Sequence, residues 1–201
     1  MLALVMAALI HADVLVSAGH EGRPAACATF PRHPCNLGAP GEREWTPIVA
    51  DEVTRVLREH NVNVLREPAD FDGEYDVDAA VFIHFDGNER PCSSGASIGY
   101  HHESDRAAAL AWRDLYSRIF PFQFMPDNFT MGLRDYFAFR QVRASDAALV
   151  LELGEIGCPQ QRAWMQDRLT ALGDLVAYYI SRQIGKGAVP FPAEFAGDGL
   201  P

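Results

Sequence analysis

Four short stretches of the sequence carry side chains able to do chemistry, and each lies at or beside the end of a buried-type run. VLVSAGHEGRP, residues 14–24, runs from apolar residues into a small-residue turn that delivers His20. VFIHFDG carries His84, LVLEL carries Glu152, and GEREW offers Glu42 and Glu44 just ahead of a helical pattern. A carboxylate among apolar neighbours, as Glu152 is, costs free energy unless a metal, a proton or a cation accompanies it. One histidine on a strand is an ordinary hydrogen-bonded core residue, but two histidines and a glutamate converging on one sheet edge are not. A catalytic zinc usually has three protein ligands, often two histidines and a carboxylate, with a fourth position open to water. His20, His84 and a glutamate from GEREW fit that set. These residue types support metal-assisted amide hydrolysis.

An α/β scaffold is needed to hold them. TPIVADEVTRVLREHN predicts a helix capped by Thr46, with Pro47 in its first turn, a stripe of Val49, Val53, Val56 and Leu57, and Asn61 at its end. VNVLRE predicts a short strand, and DAAVFIHFDG is another apolar run ending in a turn. Residues 105–120 predict a second helix, residues 147–153 a buried strand, and Pro159 opens a long amphipathic helix ended by Gly185. Strands alternating with helices predict a single α/β domain, a mostly parallel twisted sheet flanked by helices on both faces. Ligands bind such sheets beyond the carboxyl ends of the strands, where His20, His84 and Glu152 fall. The domain spans residues 13–185. Residues 1–12, MLALVMAALIHA, are either a clipped leader or a first structural element, and residues 186–201 are expected to be a loose tail.

A chain of 201 residues suits one domain. Its 17 basic and 27 acidic residues give a net charge of −10, and without a basic footprint nucleic acid is excluded as a main partner. No segment is long and apolar enough to be a transmembrane helix. Four cysteines, Cys27, Cys35, Cys92 and Cys158, form no C-x-x-C pair. An even count fits two disulfides in an exporting compartment, and Cys27 with Cys35 is the first pairing to test because both lie in one Pro/Gly-rich loop.

Other motifs point elsewhere and fail on context. GASIG, residues 95–99, is a literal G-x-S-x-G around Ser97, but no buried strand precedes it and no helix follows directly. The last histidines, His101 and His102, also come too early for the order of a serine hydrolase. HHES lacks the second histidine of H-E-x-x-H and reads as a loop. The aromatic run FPFQFMPDNFTMGLRDYFAF fits core better than a groove for a glycan or peptide.

Taken in order, the four segments resemble the zinc-dependent N-acetylmuramoyl-L-alanine amidases, bacterial and phage cell-wall hydrolases. VLVSAGHEG resembles that family's first strand and His-x-Gly turn, and GEREWTPIVADEVTRVLREHNVNVLRE its glutamate ligand, helix and following strand. DAAVFIHFDG resembles the strand bearing the second histidine, and ALVLELGEIGCP the late strand with the catalytic glutamate before a Pro-led helix. The resemblance implies that His20, Glu42 and His84 hold one zinc ion and that Glu152 is the base. Counting back from Asn61, where the family usually has a helix-ending glycine, favours Glu42 over Glu44. It further implies a periplasmic or secreted enzyme that cuts the bond joining the lactyl group of N-acetylmuramic acid to L-alanine in peptidoglycan or muropeptides. Phe82, the Phe85-Asp86-Gly87 turn, Glu155 and Cys158 depart from the family pattern, and Glu155 competes with Glu152 for the proton-transfer role. Two other functions fit the same residues: a zinc carboxypeptidase acting on wall peptides, and a zinc- or peptidoglycan-binding module without catalysis.

Overall fold

Residues of the two central strands are apolar at successive positions, so both sheet faces must be covered. A computed structural model of the chain describes residues 9–23 and 36–197. Five strands form one sheet in the order β2-β1-β3-β5-β4: β1 (Ile10–Ala18), β2 (Val64–Glu67), β3 (Tyr75–Asp86), β4 (Ser97–Gly99) and β5 (Val142–Glu155). β2, β1, β3 and β5 are parallel, and β4 is antiparallel to β5. The fold is thus the expected α/β domain, with an additional short edge strand, β4, inside GASIG.

The two faces are covered differently. Val81 and Ile83 of β3 and Leu149, Leu151 and Leu153 of β5 pack with four helices: α1 (Glu42–Glu59), α2 (Arg106–Tyr116), α4 (Pro159–Gln166) and α5 (Leu169–Gln183). Their neighbours Ala80, Phe82, Ala148 and Val150 face the opposite way, as strand alternation requires. They are covered by Phe71, Leu133 of the one-turn helix α3 (Met131–Arg134), and Ala138 and Phe139 of a 3-10 turn (Phe137–Arg140). The aromatic run accordingly serves mainly as core on both faces.

Several boundaries differ from the sequence-based expectations for local physical reasons. α1 starts at Glu42, because Gly41 at φ 95° supplies its N-cap; Thr46 lies inside the helix and donates its hydroxyl to the Gly19 carbonyl at 2.6 Å. Asn61, at φ 63°, turns the chain just past the other end, as expected. The single helix from Pro159 is two, since α4 packs on β5 and α5 on α1, and the chain turns between them at Asp167 and Arg168. β1 begins at Ile10, so residues 10–12 of the candidate leader pair with Tyr75, Asp76 and Val77 of β3. The tail from residue 186 is packed in part: Val189 and Phe195 are buried in the helical core. No helix among the described residues is long and apolar enough to cross a membrane.

Cys92 and Cys158 form a disulfide across 66 residues, tying the loop before β4 to the N-cap of α4. The Cys27–Cys35 pairing lies outside the described residues. A crosslink of this span stabilises a fold by about 2–4 kcal/mol. Cys92→Ser with Cys158→Ser is therefore expected to lower the thermal midpoint by roughly 5–15 °C in a domain of this size, measured by calorimetry without reductant. An unchanged midpoint would show that the loop is held without the bond.

Candidate metal centre

Four elements converge at the carboxyl ends of β1, β3 and β5. His20 follows β1 in a tight turn and holds φ 61°, a left-handed conformation that non-glycine residues seldom adopt. Gly19 beside it is needed for space rather than for its backbone angles: a Cβ there would overlap the His84 ring. Gly38, at φ 75°, does the same on the other side, where a Cβ would overlap the Glu42 carboxylate. Glu42 is the first residue of α1, and His84 lies near the end of β3 opposite Glu152 of β5 in the parallel register.

His20, Glu42 and His84 are all buried, and one ligand atom from each lies within 4.8 Å of the others. Glu42 Oε1 is 3.0 Å from His84 Nδ1 and 3.4 Å from His20 Nε2. Two ligand atoms bonded to one tetrahedral zinc at ~2.1 Å lie about 3.4 Å apart, so these separations fit such an ion. The remaining ring nitrogens are engaged from outside, as the nitrogens of metal-binding imidazoles usually are. His20 Nδ1 lies 2.8 Å from the Asn36 carbonyl oxygen, and His84 Nε2 lies 3.1 Å from the Tyr136 hydroxyl. The Arg23 guanidinium also donates to the Asn36 carbonyl and pairs with Asp70 at 2.9 Å.

The electrostatics prepare the same donor set. Burial alone would raise the pKa of Glu42, but hydrogen bonds with His20 and His84 outweigh it and hold the carboxyl down at about 2. Burial lowers the pKa of His84, overcoming the pull of Glu42, and so favours the neutral imidazole that a metal requires. An ionised carboxylate beside the neutral His84 imidazole is a cation-binding arrangement.

Glu44, the alternative to Glu42, points to solvent on the same turn of α1. Glu152 lies beside the cluster and lines two cavities, of about 430 and 260 Å³, that share His20, Asn36 and Glu152 in their walls. Its Oε2 is buried without a hydrogen-bond partner among the described residues. Burial, with the negative charges of Glu42 and Asp86, raises its pKa well above the carboxylate range. Asp86, on the wall of the larger cavity, is raised chiefly by burial too. Glu155 is committed elsewhere: it accepts the Cys92 N–H at 2.7 Å, and the Ser94 N–H and hydroxyl at 2.8 and 3.0 Å. It anchors the disulfide-linked loop and lines neither cavity. Ser97 is buried on β4, and His101 and His102 are exposed away from the cluster.

Sequence reasoning missed Tyr136, Arg23 and the Asn36 carbonyl. Tyr136 is one aromatic in a run dominated by core residues, and burial keeps its phenol protonated. Nothing local in the sequence distinguishes it, since its position comes from folding the segment 130–140 over the sheet.

No known family model matches the sequence, and no curated protein matches it significantly. The fold, however, is similar to solved amidase structures. The catalytic domain of CwlV, an N-acetylmuramoyl-L-alanine amidase from Bacillus (Paenibacillus) polymyxa var. colistinus, superposes with a TM-score of 0.61 at 14% identity, over 89% of this chain and 99% of that one. The N-acetylmuramoyl-L-alanine amidase AmiC2 of Nostoc punctiforme gives 0.61 at 16% identity, over 90% and 100%. Ami1, the N-acetylmuramyl-L-alanine amidase of Mycobacterium smegmatis, gives 0.59 at 16% identity, over 89% and 98%. The whole domain, including the order of elements that carries the cluster, therefore has an amidase-like fold.

Proposed function

We propose that this protein is a zinc-dependent hydrolase cleaving the amide bond between N-acetylmuramic acid and L-alanine in peptidoglycan. His20, Glu42 and His84 hold the ion in this proposal, and Glu152 moves the proton. The observation that carries it is the meeting of those four side chains at one sheet edge, on a fold similar to the solved amidases. Two neutral imidazoles and one carboxylate form a set that suits a catalytic zinc and leaves a position open. Zinc held there supplies Lewis acidity, which acidifies water toward a pKa of ~7 and polarises an amide carbonyl.

The chain's own groups do the rest. Glu152 accepts a proton from the attacking water at its carboxylate as the oxygen bonds to the amide carbon. It then returns that proton to the amide nitrogen as the C–N bond breaks, leaving a carboxyl group on the lactyl side and an amine on alanine. The two cavities on either side of the cluster offer room for the two sides of the scissile bond. The Cys92–Cys158 disulfide supports action in the periplasm or outside the cell, where such bonds persist and where the substrate lies.

Digestion of purified peptidoglycan by the zinc-loaded protein, followed by mass spectrometry, tests the proposal. The expected product is an intact stem peptide with a free N-terminal L-alanine. Release of single C-terminal residues would identify a carboxypeptidase instead, and retention on the polymer without any product would identify a binding module.

A further inference from the structure

Tyr136 has a hydroxyl whose hydrogen-bonding capacity is only half used by the protein. Its oxygen lies 3.1 Å from His84 Nε2, and among the described residues it has no other hydrogen-bond partner. The two rings stand nearly perpendicular, at 84°, with centroids 5.3 Å apart. Phe82, Phe137 and Phe139 pack around the tyrosine ring with centroids 4.8 to 6.0 Å away and fix where the hydroxyl points. Tyr136 also lines the 260 Å³ cavity together with His20, His84 and Glu152.

Tautomer chemistry decides which way the phenol hydrogen faces. His84 Nδ1 is turned towards Glu42, 3.0 Å from its Oε1, so Nδ1 is the atom available to a cation. Without a cation, Nδ1–H donates to Glu42 and the phenol donates to Nε2. With a cation on Nδ1, as the proposed function has it, the neutral imidazole carries its one hydrogen on Nε2. That N–H must donate, and the Tyr136 oxygen is its acceptor. A phenol hydrogen lies close to the ring plane, in one of two opposed positions, and the position towards His84 is then closed. The remaining position leaves a donor free in the cavity, beside the proposed ligands and the proposed base.

We propose that Tyr136 is a further catalytic residue, whose hydroxyl donates a hydrogen bond to the carbonyl oxygen of the scissile amide. This assignment rests on the proposed amide hydrolysis for its substrate and on the proposed cation at His84 Nδ1 for the direction of the donor. The carbonyl oxygen gains negative charge as the amide carbon becomes tetrahedral, and a fixed donor in a water-poor pocket stabilises that charge more than the starting amide. No proton leaves the tyrosine in this step.

Tyr136→Phe removes one oxygen atom and keeps the ring packing. Wild type and variant are compared as full chains for zinc affinity by chelator competition, for kcat and KM on a muropeptide at saturating zinc, and for binding of acetohydroxamate, an amide-like probe. At saturating zinc, kcat is expected to fall about 10²–10³-fold with KM within about threefold, as for loss of one oxyanion donor. Acetohydroxamate is expected to bind the loaded variant about tenfold more weakly. Recovery of full kcat by excess zinc would mean that Tyr136 only positions His84, and the proposal would fall. Equal acetohydroxamate affinities would overturn it whatever the substrate. Weaker acetohydroxamate binding in a protein that leaves muropeptides intact would instead refute the amidase function while upholding the donor.

Discussion

Glu152→Gln is expected to abolish nearly all turnover while the protein still binds its metal. A general base contributes about 10²–10⁴-fold to rate, and Glu152 lines both cavities beside the cluster with an oxygen that has no hydrogen-bond partner among the described residues. Glutamine matches its size but accepts no proton. The same variant carries a second signature in the metal-free protein. The folded-state pKa of Glu152 lies well above its ordinary value of 4.5, owing to burial and to the charges of Glu42 and Asp86. A carboxyl raised on folding contributes its full stability below the unfolded pKa and loses it as pH rises toward the folded value. Glutamine cannot ionise, so in chelator-treated protein the variant should gain on wild type as pH rises from about 4 to about 7. Scanning calorimetry across that range checks the trend, and metal content with muropeptide turnover checks the rest. Retained turnover, or loss of the metal, would remove Glu152 from the proton-transfer role.

Glu42→Gln should cost the protein its metal rather than its proton transfer. One Glu42 oxygen faces both imidazoles and accepts the Phe85 N–H at 3.2 Å, while the other accepts the Ala39 N–H at 2.8 Å. Substitution leaves the volume unchanged, removes the only carboxylate of the cluster, and sets an amide NH₂ against one of its donors. Loss of a supporting partner alone lowers metal affinity about 10–100-fold, and loss of a charged ligand should exceed about 100-fold. Glu44→Gln, two residues along on the exposed side of the helix, should change neither affinity nor rate. Chelator competition on both variants measures the difference. Equal affinity for Glu42→Gln and wild type would show that the carboxylate is not a ligand.

What the sequence made legible follows from what short-range pattern encodes. His20, His84 and Glu152 stood out because each interrupts or ends an apolar strand, and strand order brings such ends together. The choice between Glu42 and Glu44 turned on where a helix begins, and Gly41 with its positive φ moved that start four residues ahead of the expected Thr46 cap. Glu155 resembled a competitor in sequence because its three hydrogen bonds come from residues 92 and 94, which only the folded chain brings close. Tyr136 was hidden for the same reason. Its neighbours in the chain are core aromatics, and its contact with His84 spans 52 residues.

The unequal covering of the sheet bears on how such a protein can diverge. Four helices and most of the large buried side chains lie on one side, whereas Leu133, Tyr136 and Phe137 beside the cluster come from a single short crossing of the chain. Exchanges in that crossing, Tyr136 aside, can reshape the cavity wall without touching the helical layer on the other face. In the proposed hydrolase, ligand geometry and substrate selectivity are then separable except at Tyr136, whose hydroxyl meets His84.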